Sequence, residues 1–493
     1  VLGEAAANTS SAARWQHISI SRGESMRRSL AVSWVLVLLI LPTEIPFLFG
    51  QAPSSGTTQG SVPPANSSTT ATNPLSSPLK SSNEKVRARA ARDLGKAQDA
   101  SAIPALAAAL SDPSQKVRRE VILALAQIHQ PGTLAALIKA TEDADEGNRV
   151  LAVQSLVGYY TGIIPTPGIS GFLKKEVKRA QAHFTPDTTR IDPGLSVDPN
   201  VITALDAALK DTRSHRASRE AAKGLGILVA RAAVPDLIKA AHSSDETLSL
   251  EALNALSKIE ARSAGGELVD LLDSPDKDIK QQASVTIGIL RTGQAVPKLQ
   301  SIFESDTNQK SKEKALEGLA YLGAPASSPL FTKALWSGDK VIRTSAAEGL
   351  ARTADPKTLP ELEKAVMAEK DADAKLAIEY AITALGKLDY LSDIVNELSS
   401  RTRGDIAQPY LIELARTPGF LPKLYPYLQS PNAGVRKRLC TVIMFSGDQT
   451  SLDQLDRLSH DPNGDVSAQA LRAKRAVRAR LEVAGTTPTT GSH

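Results

Sequence analysis

The side chains of this 493-residue chain that could do chemistry are seven histidines, one cysteine and a group of tyrosines. Metal binding or acid–base catalysis needs such groups paired at helix or loop spacing. His129, His183, His215, His242 and His460 are scattered, and no two stand at ligand spacing. Cys440 lies in an apolar stretch between Leu439 and Val442 and reads as core. A single thiol excludes an intrachain disulfide and a thiolate zinc cluster. Neither a glycine-rich phosphate loop nor a Ser/His/Asp arrangement is visible. The expectation is a protein that is not an enzyme and takes no cofactor.

Binding has more to work with. Aromatics make up 4% of the chain, yet Tyr380, Tyr390, Tyr410, Tyr425 and Tyr427 gather near Phe420 among helix-disturbing prolines. Tyrosine offers large contact area at low entropy cost, so the group reads either as an interaction hot spot or as filler where prolines bend the helices. A second candidate follows Tyr159 and Tyr160, where residues 161–200 are rich in proline and glycine. Inside them, 172–184 reads as an amphipathic helix. Leu173, Val177, Ala180 and Phe184 share one face, and Lys174, Lys175, Lys178 and Arg179 the other. With Phe172 these residues form a partner-binding candidate; the alternative is that the apolar face folds back onto the rest of the chain. A basic helix over 466–481 carries Arg472, Lys474, Arg475, Arg478 and Arg480, and reads as the solvated cap of an array. Net charge is +5 with both signs interspersed, so no nucleic-acid partner is expected.

The elements that must position these residues are repeated. Val234-Pro235-Asp236-Leu237, Val296-Pro297-Lys298-Leu299, Ser328-Pro329-Leu330-Phe331 and Leu359-Pro360-Glu361-Leu362 recur at about 31 residues or twice that, an interval of helical repeat arrays. A proline opening an apolar run sits where a helix has no use for the missing N–H. Leucines or isoleucines at 125, 156, 225, 256, 287, 319, 350, 385 and 414 end the first helix of each pair. Neither helix of a pair can bury its apolar stripe alone, so the pairs must stack. Gly95, Gly226, Gly288, Ala320, Ala351 and Gly386 beside these anchors permit close helix approach.

The run of Asp-Pro, then Val-Arg, Ala-Ala, Leu-Gly and Val-Pro-x-Leu resembles HEAT-like repeats of the phycobilisome-lyase type. It is carried by Asp112-Pro113, Val117-Arg118, Ala221-Ala222, Leu225-Gly226, Val234-Pro235, Ile342-Arg343, Ala346-Ala347, Leu350 and Val435-Arg436. The resemblance implies an all-α, right-handed α-solenoid of about a dozen helix pairs over 84–482. First helices would lie on the convex side and second helices would line the concave side. It also implies that Arg118, Arg343 and Arg436 join a structural ladder of acid–arginine pairs between repeats. The His-Glu pairs of HEAT-like di-iron hydroxylases have no counterpart here.

Ahead of the array, residues 1–25 read as an upstream non-native start. Residues 26–52 read as a signal peptide or anchor, with an apolar run over 30–41 too short for a firm membrane span. The Ser/Thr/Pro-rich stretch 53–83 reads as a disordered linker and 483–493 as a flexible tail. Together these point to a monomeric, non-catalytic scaffold of the bacterial cell envelope. It would be periplasmic or otherwise extracytoplasmic, tethered through 26–49, with a protein partner on a curved surface. The alternatives are a lyase or other enzyme subunit of the same fold, or a cytoplasmic nucleic-acid-binding solenoid.

Overall fold

The computed structural model describes residues 74–165 and 189–486. The chain divides into two units, residues 1–69 and 70–493; the first lies outside the described residues, as do the expected signal segment and most of the linker. The described part of the linker is not featureless: Pro74–Lys80 is a 3-10 helix whose Leu79 is buried. Asn83 then caps the first α-helix, Glu84–Ala97, by accepting from the Lys85 amide (2.9 Å).

From there every regular element among the second unit's described residues is a helix. Each repeat pairs a long first helix with a shorter second one, from Glu84–Ala97 with Ile103–Ala109 to Ala433–Ser446 with Ser451–Leu458. The terminal helix Gly464–Thr486 follows. Local chemistry sets the boundaries. Asp145, Ser214, Asp245, Asp276, Asn308, Asp339 and Asp371 cap successive first helices with their side chains. The phased prolines Pro235, Pro297, Pro329 and Pro360 stand in the first turn of second helices.

A ladder joins the repeats. Arg118 donates to Asp143 (2.7 Å), Arg343 to Glu369 (2.6 Å) and Arg436 to Asp461 (2.7 Å). Each guanidinium also donates to two carbonyls of the turn before its own helix, as Arg118 does to Asp112 and Pro113. Arg87 with Asp112 and Arg219 with Asp245 extend the series. The Arg436 hydrogen bonds hold the Asp461 carboxyl below its ordinary range. Burial would raise Asp143, but Arg118 and the Asp145 amide outweigh it and lower that carboxyl.

The first helices are the more deeply buried layer of the second unit. Ala372–Ala384 buries every residue from Leu376 to Thr383, and Lys340–Thr353 every residue from Thr344 to Ala351. A helix buried all round has neighbours on all sides. The second helix Leu359–Ala368 buries only Leu362, Ala365 and Val366 and faces outward. Arg352 reaches Glu413, past the intervening first helix Ala372–Ala384, so the side chains of first helices two repeats apart meet.

Two of the small residues play different parts. A Cβ on Gly288 would sit 2.3 Å from the Gly318 carbonyl oxygen, so close approach needs glycine there. Gly386 instead has nothing within 4 Å and φ of +100°, so it terminates a helix rather than admitting a neighbour.

Candidate functional site

The tyrosine group splits by burial. Tyr380 and Tyr410 are 1% and 4% exposed, which corrects their reading as partner-binding residues. They stack with ring centroids 4.3 Å apart. The Tyr410 hydroxyl donates to Glu348 Oε1 (2.6 Å), and Arg352 makes a forked pair with Glu413 (2.8 and 3.0 Å) while lying 4.8 Å from the Tyr321 ring. These side chains come from the C-terminal halves of four consecutive first helices, Gln309–Leu322, Lys340–Thr353, Ala372–Ala384 and Gly404–Ala415. Burial pushes the Tyr321, Tyr380 and Tyr410 phenols and the Glu348 carboxyl up. Burial would lower Arg352, but Glu413, Tyr380 and Glu348 hold it well above its ordinary value. The network is hydrogen-bonded from repeat to repeat, with the Glu413 carboxylate reaching toward solvent, so it fixes the packing of these repeats.

Tyr390, Tyr425 and Tyr427 are half-buried against the core, and the Tyr425 hydroxyl lies 3.0 Å from Thr450 Oγ1. Tyr159 stacks on His129 (4.8 Å), and the Tyr160 hydroxyl accepts from the Asp198 amide (3.0 Å), which ties down the far end of the insertion. Phe172, Lys174, Lys175, Lys178 and Arg179 lie outside the described residues. Cys440 is fully buried, its thiol pushed up to about 12 chiefly by burial. Among the described residues no cluster of three or more His, Cys, Asp or Glu could hold a metal ion, and no helix is long and apolar enough to cross a membrane.

Two surface features remain. Trp336 (52% exposed) and Met367 (83% exposed) occupy the same register in adjacent repeats, each one helical run beyond its phased proline, Pro329 and Pro360. Their common register, seven residues after Pro329 and Pro360, is written in the sequence, but their exposure is not.

The second feature is a cavity of about 740 Å³ where the end of the insertion meets the C-terminal repeats. The Ile191 amide donates to the Ile227 carbonyl (3.0 Å), and Arg190 pairs with Glu260 (3.0 Å). Arg472 of the terminal helix pairs with Asp192. Gly194, at φ +85°, passes so close to that helix that a Cβ would fall 2.3 Å from the Ala479 methyl. Ile191, Val197, Ile202, Leu228 and Phe445 give the cavity apolar walls. Val229 on its floor is β-branched yet held at φ 54°, a conformation costing on the order of 1–3 kcal/mol. Arg480 donates to the carbonyls of Met444 (2.9 Å) and Gly447. Burial, then the neighbouring Arg416, pulls its guanidinium below the ordinary value, with Asp448 opposing.

Among known proteins, the family model for HEAT repeats matches residues 72–157 and 296–383. No curated protein matches the chain. Solved structures similar to it include an engineered protein (18% identity, 82% of this chain and 98% of that one, TM-score 0.34). YibA of E. coli is another (17% identity, 62% and 97%, TM-score 0.36). A third is Kap121p, solved bound to Ste12p (12% identity, 83% and 57%, TM-score 0.38). No residue role is carried over from them. The family match falls on the capped, laddered helix pairs described above, and this chain carries HEAT repeats.

Proposed function

We propose that this chain is a non-catalytic scaffold that binds a protein partner on its outward-facing second helices. The observation that carries the reading is the division of labour between layers. First helices such as Lys340–Thr353 are buried all round, whereas the second-helix side exposes Trp336 and Met367 in repeat register. Large apolar side chains exposed in series suit a partner that spans adjacent repeats. An envelope location and a tether through 26–49 belong to the same proposal and rest on the apolar run over 30–41.

The test uses the full chain as bait in its native host, with chemical crosslinking. A Trp336→Ser/Met367→Ser double variant that melts like the wild type should lose the proteins the wild type captures. Capture unaffected by the double substitution, or no capture by the wild type, would sink the reading. Fractionation tests the location separately: protein that stays in the soluble cytoplasm with residues 30–41 intact would contradict it.

A further inference from the structure

The cavity between the insertion and the C-terminal repeats has a composition that the scaffold reading does not use. We propose that it is a binding site for a small amphiphilic anion, a single carboxylate on an apolar body. Its volume of about 740 Å³ falls within the roughly 300–1,000 Å³ usual for small-ligand sites, and its walls are aliphatic and aromatic. A second cavity of about 470 Å³ shares Arg231 and Glu260 with it and adds Arg262.

Charge selects the sign of the occupant. Four arginines line the main cavity, Arg190, Arg231, Arg416 and Arg480, against two carboxylates, Asp192 and Glu260. Both carboxylates are engaged, Asp192 by Arg472 and Glu260 by Arg190. Arg480 is bound to carbonyls rather than to an acid, and among the described residues Arg231 and Arg416 hold no ion pair. An anion reaching Arg416 and Arg480 relieves their mutual repulsion and gains charge-assisted hydrogen bonds in a partly dry site. An apolar body would cover Ile202, Val197 and Phe445, each half-buried along the wall. Residues 166–188 do not match by charge: Lys174, Lys175, Lys178 and Arg179 outnumber Glu176 and Asp187.

The probes are dodecanoate, dodecan-1-ol and dodecyltrimethylammonium, each below its micelle concentration, titrated into the full chain by calorimetry. Dodecanoate is expected to bind at one site, the alcohol about tenfold or more weakly, and the cation not measurably. Arg416→Glu should weaken dodecanoate by about tenfold or more with an unchanged melting curve, because Arg416 is exposed and makes no structural pair. Arg416→Lys should keep most of the affinity, and raising salt should weaken binding in the wild type. Ile202→Trp, which fills the cavity from its wall, should abolish binding. The idea is overturned if dodecanoate does not bind, if the alcohol binds as well, or if Arg416→Glu leaves the affinity unchanged. Retention on anionic phospholipid vesicles without binding of free dodecanoate also overturns it, by assigning the arginines to a membrane surface.

Discussion

Arg352 shows how much of this molecule rests on polar side chains packed between repeats. It neutralises Glu413, faces the Tyr321 ring and lies 3.4 Å from Glu348. Removing the arginine leaves Glu413 without its partner, and because that carboxylate is 36% exposed the penalty of a fully buried pair is discounted, so Arg352→Met should destabilise the chain by about 2–4 kcal/mol in urea unfolding. Tyr410→Phe, which strips only the hydrogen bond to Glu348, should cost about 1–3 kcal/mol. Equal effects would mean that the network does not act through the arginine. Glu379 gives a pH signature. Burial raises its carboxyl from 4.5 to about 7, with Lys375 opposing and Asp393 and Glu397 reinforcing. Between those values the folded chain binds one more proton at this site than the unfolded chain. The contribution to stability is therefore complete below pH 4.5 and is lost as pH rises to about 7. Glu379→Gln should flatten that decline, and an undiminished slope from pH 4.5 to 7 would count against the assignment. The sequence displayed all these residues, but it left open whether the tyrosines faced a partner or a core. That choice depends on neighbours one and two repeats away.

At the scale of the helix, the recurring parts are those a local reading finds most readily. A capping Asp, Asn or Ser, a first-turn proline and a carboxylate in the turn each act within a few residues of themselves, so their spacing reveals the pairs. The ladder is the next step out. Arg343 meets Glu369, an acid in the following repeat, and the fixed interval between repeats makes such pairings regular. Packing between first helices follows from small residues at their crossings. Gly288→Ala would place a methyl 2.3 Å from one backbone atom of Gly318 and 2.6 Å from another, and backbone has little room to move. It should cost on the order of 1–3 kcal/mol. Gly293→Ala, with nothing within 4 Å, should leave the urea midpoint near that of the wild type. Similar midpoints for the two variants would contradict the crossing drawn here. Gly386 carries the same residue type to a different end, and its positive φ is invisible in a sequence.

Over the whole repeat unit, the decisive contact joins segments hundreds of residues apart. Asp192 of the cavity lining pairs with Arg472 of the terminal helix, and Gly194 lies against Ala479. Gly194→Val should force the terminal helix away, both by the clash and by its φ of +85°. Limited trypsin digestion should then cut sooner among Arg472, Lys474, Arg475, Arg478 and Arg480 than in the wild type, while the helices before Leu458 resist equally. Unchanged cleavage would show that the end of the array is held by something other than this contact. The basic terminal helix thus has a part beyond capping: Arg472 and Arg480 fasten it to the insertion and to the preceding repeat.

The sequence by itself determined the helix pairs, their interval, their caps and the arginines of the ladder, because each depends on residues within one repeat or its neighbour. Only the tertiary structure decided which helix of a pair is buried nearly all round and which faces outward, since both are amphipathic enough for either role. It also decided that Tyr380 and Tyr410 are core and that Arg416, Arg480 and Ile202 share a cavity. Small rotations between repeats accumulate along the array, and no local pattern records their sum.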